Sequence, residues 1–399
     1  MFNKNELKKY AEIMVWSLKK ARTAQFKKYD SVLVRYDIAS APLAEEINRI
    51  LLAERLNPVM QVLSSENITK DFYQISDDSQ LKFMPKWQLE MQKGINGLIA
   101  LRAPASLDHL KDVDPKKMSL TALARKPAKE ILDKREAEGS FGWTLSTYPT
   151  QALAKKAGLS LKEYTNQIKK ACYLTDANPL KTWEKIYKQM EEVTKWLESL
   201  KIDTINMQSK SMDLNVLLGE QRKFLSARGC NMPSFEIFTS PDWRGTEGVY
   251  FADMKSFRSG QIIENIKVEF KKGRVIKAKA SKGDDYLKKM IAMDPGAAQI
   301  GEFSLTDKRF SKIDRFMADT LFDENFGGKN GNSHIALGAS FADSFSGDVK
   351  KLTKAKKKAL GFNDSSLHWD IINTEDKIVK AKVKNGKTVT IYEKGMFKY

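Results

Sequence analysis

Short apolar runs alternate with helically spaced apolar residues through the first 150 positions. Ser31–Tyr36 (SVLVRY) is rich in β-branched residues and predicts a strand. Leu43, Ile47, Ile50 and Leu51 recur at helical spacing and predict a helix over residues 41–56, followed by a strand over 59–63. The alternation continues with a helix over 81–93, a strand over 97–101, a helix over 118–134 and a strand over 143–147. Strands spaced by helices build βαβ units and a largely parallel sheet.

The pattern then becomes helical. Ser160-Leu-Lys-Glu163 is a capping box. Asn178-Pro179 supplies an N-cap and a first-turn proline for a long helix to about residue 200, with Leu180, Trp183, Tyr187, Met190, Val193 and Leu197 on one core face. Beyond it, 266–280 reads as two alternating strands around Lys272-Gly273, with a helix near 285–293. A second hairpin over 378–392 turns at Asn385-Gly386, the strongest short hairpin signal. The expected fold is an α/β N-terminal domain (1–200) ending in the long helix, followed by an α+β C-terminal catalytic domain (201–399) rich in antiparallel strands.

Composition narrows the class. A chain of 399 residues, 42% hydrophobic and 30% charged, excludes collagen-like, low-complexity and disulfide-scaffold proteins. Two cysteines, Cys172 and Cys230, point to a reducing compartment and read as structural thiols. No apolar run reaches the roughly 18–20 residues of a membrane helix. The amphipathic N-terminus is unlike a signal peptide, so a cytoplasmic protein without membrane contact is expected. The net charge of +18 invites a nucleic-acid reading. The lysines are scattered, however, and the densest run (349–358) has no interleaved aromatic to stack on bases, so it reads as a solvated helix face.

Most chemical motifs are absent. The glycine-rich 326–333 lacks the Gly-Lys-Ser/Thr ending of a P-loop and reads as a flexible turn, and no GxGxxG, GxSxG or HExxH occurs. Of three histidines, His109 lies on a polar stretch and reads as a surface residue. His368 and Asp370 share one face of an alternating strand, as a metal-ligand pair or a hydrogen-bonded core pair would. Glu236 and Glu302 have apolar neighbours, and either turn outward or are held inside by a partner that offsets desolvation. Together with His334 these residues form an oxygen-and-nitrogen set suited to two borderline divalent cations.

Several collinear segments carry a resemblance. They are Trp143-Thr-Leu-Ser-Thr-Tyr-Pro-Thr150, Asn231-Met-Pro-x-x-Glu236-Ile-Phe-Thr-x-Pro241, Glu247-Gly248 and Gly301-Glu302. Asp319-Thr-Leu-Phe-Asp-Glu-Asn325, Ser333-His334-Ile-Ala-Leu-Gly338 and Asn363-x-Ser-x-x-His368-x-Asp370 follow in order. This arrangement resembles the aminopeptidase T / aminopeptidase S family of dinuclear metalloaminopeptidases. The resemblance implies metal ligands at Glu236, Glu302, His334, His368 and Asp370, with Glu302 the candidate catalytic base. It also implies two divalent cations per chain (zinc, cobalt or manganese), peptide substrates and a homodimer. Two positions depart from the family: Phe235 replaces the usual glycine before the first glutamate, and Phe341 replaces a tyrosine seven residues after the first site histidine. Loss of that hydroxyl implies a slow enzyme or, as the alternative, a catalytically impaired relative that binds peptides or an acidic partner.

Overall fold

The computed structural model describes residues 1–258 and 260–399 and divides into two units. The first contains Met1–Thr182 with Arg228–Pro233, and the second Trp183–Ala227 with Ser234–Tyr399. No helix among the described residues is long and apolar enough to cross a membrane.

The first unit is built on β1 (Ser31–Tyr36), β2 (Asn57–Val62), β3 (Gly97–Arg102) and β4 (Gly142–Thr147), all parallel in the order β2-β1-β3-β4. Val32, Val34 and Ile99 are fully buried, as the expected parallel sheet requires. The strand expected at 59–63 begins earlier and includes Pro58, which an edge strand tolerates because its missing donor breaks no interior ladder. The single helix expected over 81–93 is two pieces, Asp78–Lys82 and Lys86–Gly94, separated at Pro85. The helix expected over 41–56 ends at Ala53, where Arg55 turns left-handed with φ 61°. A helix at Glu66–Ile75, capped by the Ser65 side chain, had no counterpart in the hydrophobic pattern. The capping box at Ser160 and the helix Pro179–Ser199 are present, the latter with Asn178 Oδ1 accepting from the Lys181 amide at 3.1 Å.

His109 is half-buried, its Nδ1 3.2 Å from the Ser106 carbonyl. Burial pushes the Cys172 thiol up to about 12, consistent with a structural role.

The second unit contains β5 (Ile202–Ser209), β6 (Asp213–Leu217), β7 (Glu236–Thr239), β8 (Asp242–Ala252), β9 (Ser256–Arg258), β10 (Gln261–Ile263) and β11 (Ile266–Lys271). These are followed by β12 (Arg274–Lys279), β13 (Ile300–Thr306), β14 (Asn332–Gly338), β15 (His368–Asn373), β16 (Lys377–Val383), β17 (Thr388–Glu393) and β18 (Met396–Phe397). An eight-stranded antiparallel sheet runs β12-β11-β8-β6-β5-β16-β17-β18 and includes both expected hairpins. The helix near 285–293 is Asp284–Ile291. The glycine-rich 326–333 is a firmly held loop rather than a flexible one. Asn332 Nδ2 donates to the Phe326 and Glu324 carbonyls at 2.6 and 3.0 Å, while Gly328 and Gly331 supply positive φ.

A second antiparallel sheet, β15-β14-β13-β7, carries the candidate site residues. Its register pairs Glu236 with Thr306, Ser304 with both Phe238 and His334, Glu302 with Ala336, Ala336 with Asp370, and Gly338 with His368. Directly opposed residues share a face, so all these side chains point the same way. The other face carries Ile237, Phe303, Leu305, Ile335, Leu337, Trp369 and Ile371, all buried. From β8, the fully buried Tyr250 hydroxyl donates to the Ser333 and Ile371 carbonyls, at 3.0 Å each, and ties the two sheets together. A bulge at Gly301 lets Ile300, paired with Leu337, take the apolar face while Glu302, two residues on, takes the charged one.

Candidate metal centre

The five residues singled out from the sequence converge on the charged face of this sheet. His334 Nε2 lies 3.1 Å from Glu302 Oε1 and 3.6 Å from Glu236 Oε2. His368 Nε2 lies 3.7 Å from Glu302 Oε2 and 3.3 Å from Asp370 Oδ1. Two groups result, Glu236–Glu302–His334 and Glu302–His368–Asp370, each with candidate donor atoms within 4.8 Å of one another. Glu302 belongs to both and turns a different oxygen to each.

Neighbouring structure fixes these side chains. Phe235 is fully buried and stacks on Trp183, with ring centroids 5.1 Å apart and planes 14° apart, while its amide donates to Asn325 Oδ1 at 2.5 Å. This packing sets the position of Glu236 at the start of β7. His368 Nδ1 donates to the Ala339 carbonyl at 2.9 Å, which leaves Nε2 to face the carboxylates.

The electrostatics of the cluster are those of an acid excess. Burial alone would disfavour a charged His334, but its hydrogen bond to the Glu302 carboxylate and the charges of Glu236, Glu302 and Asp370 push its pKa up to about 9. Burial is likewise outweighed at His368, which Asp370, Glu302 and the Ala339 carbonyl raise to about 10. Asp370 would be raised by burial, yet the two histidines and Arg258 hold it at about 2. Burial, with Glu302 and Asp370 nearby, raises Glu236 to about 7 despite His334.

Glu324, which the sequence reading did not single out, joins this group. Burial and the charges of Glu236, Asp370 and Glu302 hold its carboxyl well above the usual range, so it keeps its proton and donates to Glu236. Its only sequence signal was an acid inside the resembling segment Asp319–Asn325.

Three buried carboxyls, Glu236, Glu302 and Glu324, and the half-buried Asp370 thus face two imidazoles. On the same face, Ser304 Oγ and His334 Nδ1 are buried with no hydrogen-bond partner among the described residues. Carboxyls and imidazoles crowded into one oxygen-and-nitrogen donor set, with protons that a cation can displace, are the environment divalent cations satisfy, so the residues present fit such ions.

Comparison with known proteins gives the family of the chain. Aminopeptidase PepS of Streptococcus thermophilus is 25% identical over 415 residues, spanning 98% of this chain and 98% of its own. Aminopeptidase T of Thermus aquaticus is 26% identical over 385 residues, spanning 90% of this chain and 92% of its own. The solved structure of wild-type AmpT from Thermus thermophilus matches with a TM-score of 0.83 at 22% identity, over 99% of this chain and 100% of that one, and so shares the fold. Residues 3–397 match the sequence profile of the thermophilic metalloproteases (M29). With the match running through nearly the whole length, this chain belongs to the thermophilic metalloprotease (M29) family and is a peptidase.

Proposed function

We propose that the chain is a metal-dependent aminopeptidase that releases the N-terminal residue of peptides at a dinuclear site. The observation that carries this reading is the shared carboxylate of Glu302 between two three-residue groups on one sheet face. Glu236 and His334 would hold one divalent cation, His368 and Asp370 the other, and Glu302 both. Zinc, cobalt and manganese all suit such ligands. Bound there, the cations supply a Lewis acid for the scissile carbonyl and lower the pKa of the attacking water towards ~7.

The residues of the chain do the rest. Glu302 is the proposed proton acceptor, and the hydrogen-bonded Glu236–Glu324 pair is a second place for a proton next to it. Carboxylates of this cluster attract the free α-amine of a peptide, which restricts cleavage to the N-terminal residue. In this reading the catalytic domain is the C-terminal half (201–399), and the protein works in the cytoplasm as a homodimer.

A second reading has one specific observation in its favour. Phe341 stands beside His368 and brings no hydroxyl to the site, as a binding protein with an impaired centre would. Metal analysis and turnover decide between the two. Amino-acid release from an aminoacyl-anilide in the presence of cobalt, zinc or manganese, with about two equivalents bound per chain, is expected for the enzyme. Activity that survives both exhaustive chelation and Glu302→Gln would overturn the metal mechanism. Phe341→Tyr is expected to raise turnover, since a single oxyanion-stabilising donor contributes about 10²–10³ in rate.

A further inference from the structure

At the rim of the charged face stands an aromatic side chain that the proposed chemistry does not use. Phe341 is 44% exposed. Its ring centroid lies 4.6 Å from that of His368 at 58°, and 5.9 Å from that of Phe238, edge to face. Phe238 is half-buried and lies two residues after Glu236 on β7, so it shares the charged face. The two phenylalanines and the His368 ring therefore form a continuous wall beside the group Glu302–His368–Asp370.

An exposed phenylalanine forgoes the gain from burying its ring. Here the backbone holds it in place. The Phe341 amide donates to Ser240 Oγ at 2.8 Å, and its carbonyl accepts from Ser344 Oγ at 2.9 Å. Ser340 is tied to Asn363 in both directions, its amide donating to the Asn363 carbonyl at 3.0 Å and its Oγ accepting from the Asn363 amide at 2.9 Å. The Ala339 amide donates to the Leu367 carbonyl at 2.7 Å. The loop is thus fastened on both sides of Phe341, and the ring is presented at the rim.

We propose that Phe341 and Phe238 are specificity-determining residues: their rings receive the side chain of the substrate's N-terminal residue and select aliphatic and aromatic side chains over small or acidic ones. This rests on the aminopeptidase reading of the site. A peptide whose amino end lies beside the group Glu302–His368–Asp370 has its first Cα substituent next to the wall. An apolar substituent covers the exposed ring and removes both surfaces from water, whereas a methyl group covers little of it and an aspartate adds repulsion from the carboxylates.

The test uses the full chain loaded with cobalt. kcat/KM is measured for leucyl-, phenylalanyl-, alanyl- and aspartyl-p-nitroanilide, and the affinity of free L-leucine and L-alanine by calorimetry. Wild type is expected to favour leucine over alanine by about 10–200-fold. Phe341→Ala is expected to shrink that ratio about tenfold through KM for the leucyl substrate, and to weaken L-leucine binding in parallel. Phe341→Leu should keep most of the preference. An unchanged ratio and unchanged leucine affinity in Phe341→Ala overturn the wall while leaving the aminopeptidase reading standing. Should Phe341→Ala fail to fold, the wild-type panel still decides, because a preference for alanyl or aspartyl substrate overturns the proposal. Absence of both cleavage and amino-acid binding by metal-loaded wild type overturns the underlying reading and this one with it.

Discussion

On one face of the β15-β14-β13-β7 sheet lie Phe303, Leu305, Ile335, Leu337 and Ile371; on the other lie Glu236, Glu302, His334 and Asp370. Alternate residues of the same strands build both faces, and both are largely closed to water. The apolar face gains from that closure, since burial there removes surface from water and fills space. The charged face loses, since its three carboxyls, with Glu324 beside them, are desolvated against two imidazoles, and their pKa values spread from about 2 to about 10. One backbone thus holds a stabilising layer back to back with a strained electrostatic one, and the first keeps the second in place.

Substitutions can break that comparison. The largest effect belongs to the charged face: Glu302→Gln is expected to reduce turnover to background and bound metal from about two equivalents to one or none, read by assay and metal analysis. Retention of both would remove the shared carboxylate from the account. On the apolar face, Ile371→Ala should cost about 2–5 kcal/mol in urea unfolding while leaving metal stoichiometry unchanged.

A third expectation concerns pH in metal-free protein. Glu236 is near 4.5 in the unfolded chain and about 7 when folded, so the folded state binds the extra proton. That stability is complete below pH 4.5 and is lost as pH rises through 7. His334, raised from 6.5 to about 9, and His368, raised from 6.5 to about 10, extend the loss to pH 10. Unfolding free energy should therefore fall from pH 4.5 to 10. Glu236→Gln should flatten the lower part, which is worth roughly 3 kcal/mol. Asp370 acts with opposite sign outside this window, its contribution being lost only as pH falls from 3.8 through about 2. Divalent cations compete with the same protons, so metal affinity should rise over the interval where metal-free stability falls. A flat wild-type profile would contradict the acid excess.

The smallest effect belongs to neither face. Lys354 and Lys358 are exposed, and Lys354→Ser with Lys358→Ser should change stability by less than about 0.5 kcal/mol per site and leave kcat/KM unmoved. A large loss in either would give the lysine run a role beyond solvation.

Alternation made this sheet legible in the sequence. Glu236 and Glu302 stood out because Phe235, Ile237 and Phe303 surround them, and His368 and Asp370 because Leu367, Trp369 and Ile371 mark the opposite face. Glu324 did not stand out, because it follows the four-residue helix Thr320–Asp323, where no period separates an inward acid from an outward one. Strands β5 and β6 were illegible for another reason. Asn206 donates to Asp213 Oδ1 and Asn215 Oδ1 at 2.8 and 3.0 Å, so polar residues with no apolar alternation form a ladder across two strands. The pairing of β5 with β16 joins residues more than 160 positions apart, beyond the reach of any local pattern.

The bulge at Gly301 concentrates much of this in one atom that is missing. A Cβ there would come within 2.2 Å of the Ala339 carbonyl oxygen and 2.3 Å of that of Gly338. The Ala339 oxygen is the acceptor that orients His368, and the next residues lead to Phe341. A single methyl group at Gly301 would act as a wedge, prying this loop from β13 and loosening histidine, aromatic rim and Glu302 together, although residue 301 itself has no side chain to offer any of them.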